Sequence, residues 1–301
     1  MLTTKENVVT IEGILSEMDI KYGSFKKNGA EVKSIGGSIK VRVNQEINKV
    51  PAELEVPVHF FASQYTNAGA VNPAFTSIEK MMNTYTSIAA SDIDSADRVR
   101  LKGSIQMNEY YGQNGKLISF PRISSSFVSK INKEDCKPEA SFSVVLFVGN
   151  KGFETDADGV ETDKYKVTGV IPQYGGRVDV VPFIAINKGV IDGISNYWNP
   201  GDTVKASGKL NFTSKTEVQT VEVDFGEPQQ KTRTISVSEL IITGGSQTPL
   251  EGDFAINGDD IQAALEERKT RLAGLKDKAS AKAAPAKTTS AKTNNFADYG
   301  F

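Results

Sequence analysis

Along SIKVRVNQEI, residues 38–47, Ile39, Val41 and Val43 alternate with Lys40, Arg42 and Asn44. That period of two predicts a strand with one face in a core and the other in solvent. LEVPVHFFAS repeats it with Leu54, Val56, Val58 and Phe60 on one face, and DRVRLKGSIQMNEY with Val99, Leu101, Ile105 and Met107. NVVTIEGILSEM before them and KLISFPRISSSFVSKI after them read as further strands. IKYGSFKKNGAEVKSIGG, which follows the first strand, is rich in Gly, Lys and Ser and reads as a loop. YGQNG, ahead of the fifth strand, is a turn with an Asn-Gly dipeptide. Between the third and fourth strands the period changes. Phe75, Ile78, Met81, Met82 and Tyr85 are spaced three and four apart, which predicts a helix with Asn72 as N-cap and Pro73 in its first turn. The order β-β-β-α-β-β is that of an OB-fold, a five-stranded Greek-key barrel whose strand-two and strand-three face binds oligonucleotides or oligosaccharides.

The order then recurs. ASFSVVLFVGN, DKYKVTGVIPQ and GGRVDVVPFIAI read as strands, KGVIDGISNYW as a short helix, and NPGDTVKASGKLNFT and TRTISVSELIITG as two closing strands around a polar hairpin. At the fourth strand the copies align at one constant offset: Val99, Gly103, Ile105 and Met107 fall on Val204, Gly208, Leu210 and Phe212. A repeated supersecondary unit is stronger support for the fold than either copy alone. GDDIQAALEERKTRLAGLKDK then reads as a helix, with acids at its start, lysines near its end and an apolar stripe of Ile261, Leu265, Leu272 and Leu275. The expected architecture is therefore mainly β. It has an OB-fold-like domain over residues 1–131, a second over 140–245, a helical segment over 257–278, and a disordered tether with an aromatic tip over 279–301. Residues 132–139, NKEDCKPE, read as the linker between barrels.

Composition removes several chemistries. Cys136 is the only cysteine and His59 the only histidine, which excludes an intrachain disulfide and zinc sites of the usual Cys/His type. One cysteine suits a reducing cytoplasm. No nucleophile elbow, P-loop or dinucleotide fingerprint is present, so neither catalysis nor a cofactor is expected. ETDADGVE, residues 154–161, has spaced acids but reads as a hairpin turn with Asp158-Gly159 at its tip. No apolar run is long enough to cross a membrane, and the N-terminus lacks a signal-peptide pattern, so no membrane is expected as a partner. The net charge of −2 means that any hold on nucleic acid must come from a local basic face.

Such faces are present in the pattern. Single strands need cations along a phosphate track and flat side chains for stacking. In domain one the outward positions carry Lys40, Arg42, Arg98, Arg100 and Lys102, with Phe61 beside His59. The first loop adds Tyr22, Phe25, Lys26 and Lys27, and the hairpin after the fourth strand carries Tyr110 and Tyr111. In OB-folds these two connections are the usual clamps. Domain two offers Lys164, Lys166, Arg177, Lys205 and Lys209, with Tyr174, Tyr197 and Trp198 as platforms, although Trp198 could equally plug the barrel end. The same bases also suit a solvated surface that blunts edge pairing.

After the last helix comes KDKASAKAAPAKTTSAKT, too poor in apolar side chains to offset its ordering entropy, and then NNFADYGF. A barrel core, a low-complexity tether and an aromatic tip resemble the layout of single-stranded-DNA-binding proteins of bacteria and their phages. Two unlike barrels in one chain resemble the phage proteins more than a bacterial tetramer subunit. The resemblance implies a non-catalytic coat on single-stranded DNA in phage replication or recombination. It also implies a tip, with Phe296, Asp298, Tyr299 and Phe301, that docks a polymerase, primase or helicase. The tip has one Asp and lacks a proline before its final Phe, unlike the strongly acidic bacterial version. A virion structural or assembly protein built from tandem barrels is the rival reading, and a carboxylate-metal nuclease a more distant one.

Overall fold

The computed structural model describes residues 2–112, 114–156, 158–221 and 229–283. The first barrel is built from β1 (Asn7–Lys27), β2 (Ala30–Ile47), β3 (Val50–Ser63), α1 (Pro73–Thr84), β4 (Arg98–Tyr111) and β5 (Leu117–Ile131). β1 pairs antiparallel with β2 and β4, β2 with β3 and β4 with β5, while β3 meets β5 in parallel. The sheet therefore closes in the OB order, and closure leaves no free edge. The second barrel repeats it with β6 (Glu139–Thr155), β7 (Glu161–Pro172), β8 (Val178–Ala185), α2 (Lys188–Tyr197), β9 (Thr203–Val221) and β10 (Gln229–Gly245). Its parallel closing contact joins β8 to β10. α3 (Gly258–Ala283) ends the described chain.

Alternation explains the packing. Ile39, Val41, Val43, Leu54, Val56, Val58, Val99, Ile105 and Ile123 are buried in one core, which continues into Val144, Leu146, Val167, Phe183, Leu210 and Leu240 of barrel two. Asn72 caps α1 by accepting from the Ala74 N–H at 3.1 Å, and Pro73 occupies the first turn. The aromatic residue ending each helix closes its barrel. The Tyr85 hydroxyl accepts from the Lys130 N–H at 3.0 Å, and the Trp198 indole N–H donates to the Ser246 carbonyl at 2.7 Å. The matched glycines mark the same close approach twice. A Cβ on Gly103 would lie 2.6 Å from the Ser124 carbonyl oxygen, and one on Gly208 would lie 2.0 Å from that of Ile241.

One expectation changes. The stretch after the first strand is not a loop. β1 and β2 continue as a paired hairpin out to Lys27 and Ala30, turning at Asn28 and Gly29, both in the left-handed region. Asn and Gly tolerate positive φ, which gives the hairpin its two-residue turn. Residues 132–138 connect β5 to β6, and the barrels also meet directly, because Asn7–Glu12 of β1 pair with Glu139–Val144 of β6, giving one ten-stranded sheet. Gln45 donates to the Ala140 and Leu210 carbonyls and accepts from the Ala140 N–H. Asp179 of barrel two accepts from the Met107 N–H of barrel one at 3.0 Å. α3 clasps both barrels, with Ile261 and Ala264 packed near Val145, Val170 and Val178, and with Arg268 and Arg271 on Glu109 of β4.

Candidate nucleic-acid interface

The β4–β5 ladder sets the geometry. Ser104 pairs with Ser124, Gln106 with Arg122, Asn108 with Phe120 and Tyr110 with Ile118, so these side chains share the outer face. Beside them, His59 of β3 pairs with Ser124. Between the Lys102–Phe127 and Ser104–Ser124 pairs, β5 has one residue more than β4, a bulge that reverses the alternation. Ser125 holds it, donating to the Lys102 carbonyl at 2.7 Å. The bulge turns Val128 into the core and Phe127 out to 55% exposure.

Phe61, at 65% exposure, and Phe127 share the walls of an open groove of about 510 Å³, with Lys102, Gln106, Ser124 and Ser126 among its lining. Phe25, from the β1–β2 hairpin, meets Phe61 with ring centroids 5.9 Å apart. Tyr110 and Phe120 form an edge-to-face pair at 6.4 Å. Arg122 donates to Gln106 Oε1 at 3.2 Å, its buried Nε has no partner, and no carboxylate pairs with it among the described residues. The Lys102 ammonium likewise has no ion pair there, and neither does that of Lys26. Burial, and then the Arg122 charge, lower the His59 pKa, so the imidazole is neutral and Arg122 carries the local charge. Flat rings, free cations and serine hydroxyls thus share one exposed face.

The other expected residues are placed differently. Lys40 pairs with Glu17 and Arg42 with Glu55, both at 2.8 Å. Arg100 pairs with Glu12 at 2.6 Å. Arg98 is not on the outer face: it is buried, donating to the Ile93 and Ala96 carbonyls. Tyr22 donates to Glu79 at 2.8 Å and Lys27 to Asn67 at 2.8 Å, while Tyr111 is half-buried. In barrel two, Lys164 pairs with Glu239 and Lys205 with Glu6, and Lys209 donates to the Glu46 carbonyl. Trp198 is 2% exposed and plugs the barrel end, so it offers no stacking platform. Tyr174, Lys166 and Arg177 are exposed. Phe296, Asp298, Tyr299 and Phe301 lie outside the described residues.

Sequence reasoning missed Phe127, Phe120 and Arg122. Strict alternation puts Phe127 on the side of Ile123, in the core; only the run Ser124-Ser125-Ser126 hints at a bulge. Asp156 organises the 154–161 hairpin by accepting from the Asp158 and Val160 N–H groups. Among the described residues no cluster of three His, Cys, Asp or Glu side chains could hold a metal, and no helix is long and apolar enough to cross a membrane.

The chain is similar to several solved structures at low identity. Wild-type single-stranded DNA binding protein from Thermus aquaticus matches at 9% identity and a TM-score of 0.46, over 84% of this chain and 97% of that one. A deletion variant of the Thermus aquaticus protein matches at 10% identity and 0.43, over 82% and 95%. The small single-stranded DNA-binding protein from Streptomyces coelicolor matches at 7% identity and 0.25, over 43% and 98%. No curated protein matches the sequence significantly. The family model described as YorF matches residues 5–278, which run from ahead of β1 into α3, and the chain belongs to the YorF family.

Proposed function

We propose that this protein binds single-stranded DNA, without strong sequence preference, on the outer β3–β5–β4 face of barrel one. The observation that carries the reading is the groove between Phe61 and Phe127, with Lys102 in its wall and Arg122 bonded to the lining Gln106, both free of carboxylate partners among the described residues. Exposed rings accept any base face, and unpaired cations neutralise phosphates. The serine strip adds hydroxyls that can donate to either partner. The role is non-catalytic: a coat on single strands during phage replication or recombination. In this reading the terminal segment, with Phe296, Asp298, Tyr299 and Phe301, recruits a polymerase, primase or helicase.

The test is fluorescence anisotropy of a labelled, unstructured oligonucleotide titrated with the full chain across salt, against a duplex of equal length. An extrinsic label is needed because the single tryptophan, Trp198, is buried away from the groove. Micromolar or tighter binding that weakens with salt and is poorer for duplex is expected. A flat titration at low salt removes the reading.

A further inference from the structure

Among the described residues two buried side-chain nitrogens lack any partner: Nε of Arg122, in the face above, and Nε of Arg268, on α3. Arg268 lines a separate cavity of about 140 Å³ where α3 meets β8. Arg177, Arg271, Val178, Ala264 and Glu267 complete its wall. A water takes about 30 Å³ of liquid volume, so there is room for a four-oxygen anion.

The wall holds more donors than acceptors. Arg268 and Arg271 both reach Glu109 of β4, the latter at 3.0 Å. One buried carboxylate fixes two guanidinium groups and neutralises one of them. The Arg177 carbonyl accepts from the Gln173 N–H at 2.7 Å, but its guanidinium makes no hydrogen bond or ion pair among the described residues. Glu267, the one acid in the wall, is exposed at the rim. Nearby Asp179 is already engaged by the Met107 N–H, and burial disfavours its charged form. Guanidinium forks suit tetrahedral oxyanions, and Glu109 holds two of the three in place before any ligand arrives.

We infer that the cavity between β8 and α3 is a site for one phosphate group, either free in solution or carried in a nucleic-acid backbone. Its lining comes from α3 and the start of β8, with only the anchoring Glu109 on β4, and none of these residues lines the groove of barrel one, so it stands whether or not that groove binds DNA.

The experiment is thermal unfolding of the full chain in rising inorganic phosphate, against sodium chloride of equal ionic strength. The wild type is expected to gain a saturable rise in Tm that chloride does not give. Arg177→Ala is expected to lose most of that increment; Arg177 is exposed, so its fold in chloride should match the wild type. Glu267→Gln should saturate at lower phosphate, since it removes a negative charge from the rim. The second arm is anisotropy with a labelled oligonucleotide. A several-fold weaker complex for Arg177→Ala, with the salt slope reduced by about 0.7, assigns the phosphate to a nucleic-acid backbone. Unchanged oligonucleotide binding beside a lost phosphate increment assigns the site to a free anion. Equal phosphate increments in wild type and Arg177→Ala, with unchanged oligonucleotide binding, overturn the site.

Discussion

Ile105 pairs with Ile123 in barrel one as Leu210 pairs with Leu240 in barrel two. Counting out from that rung, Arg122 falls on Glu239, Lys102 on Ser207 and Phe127 on Gly244. On the neighbouring strand, His59 pairs with Ser124 as Ile184 pairs with Ile241, which sets Phe61 against Ile186. Each feature of the groove is thus replaced in the second copy, the arginine by a glutamate that takes Lys164 and Asn211 for itself. The bulge is kept, with Thr243 as the extra residue, but it presents a glycine where barrel one presents a phenylalanine. Topology fixes where a face lies; side chains decide whether it can hold anything. Barrel two instead spends its polar groups on the junction, through Lys205, Lys209 and Asp179, and gives α3 its seat.

The sharpest way to break this contrast is to strip the rings from barrel one. Each base–aromatic stack is worth about 1–3 kcal/mol, so Phe61→Ala and Phe127→Ala should each weaken oligonucleotide binding roughly five- to a hundredfold. Both rings are exposed, and thermal unfolding should show both variants folded as the wild type. Lys102→Ala should cost less, and it should lower the slope of log affinity against log salt by about 0.7, one phosphate contact on a single strand. Lys164→Ala and Lys205→Ala, in the equivalent barrel, should leave binding within about twofold. Each loses a surface ion pair worth at most about 1 kcal/mol of stability, measurable by urea unfolding.

The junction offers a finer comparison, because its two acids have opposite signs. The bond from Arg100 holds the Glu12 carboxyl below its ordinary value of 4.5, against the opposing effect of burial, and the Lys137 N–H adds to it. A carboxyl depressed by folding stabilises above its unfolded pKa, and that contribution disappears as pH falls through the folded value. Urea midpoints of wild type and Glu12→Gln should therefore converge on the acid side of 4.5. Burial, with Glu109 adding to it, pushes Asp179 above its ordinary 3.8 despite the Met107 N–H and the nearby arginines. Its folded form holds the proton longer, so stability falls as pH rises through its folded pKa. Asp179→Asn keeps an acceptor for Met107 and should lose that fall, the smallest effect of the set. A midpoint that declines identically in both proteins would contradict it.

Strand order, both helices inside the barrels and the Gly103–Gly208 repeat were legible because alternation, helical spacing and the Asn72–Pro73 start are local signals. The β1–β2 extension was hidden because Lys, Ser and Gly in YGSFKKNGAEVK face solvent on both sides, leaving no apolar period to read. Arg98 misled for a different reason. Placed at the start of β4, it folds back onto carbonyls of the preceding segment instead of standing off the sheet. Charge pairing was also invisible, since Lys40, Arg42 and Arg100 meet acids on neighbouring strands and only the register brings them together. The groove itself depends on a bulge, and one extra residue reverses every side chain beyond it. Phe127 therefore came from the structure, whereas Arg122, beside the inward Ile123, lay within reach of alternation and was distinguished only by its lack of a carboxylate partner among the described residues.

The most direct measurement is anisotropy of one labelled oligonucleotide with three proteins at fixed salt: wild type, Phe61→Ala/Phe127→Ala, and Lys164→Ala/Lys205→Ala. The account expects the barrel-one pair to lose about thirtyfold or more in affinity while keeping the wild-type Tm, and the barrel-two pair to bind as the wild type does. Wild-type affinity in the barrel-one pair, or a loss confined to the barrel-two pair, would contradict it.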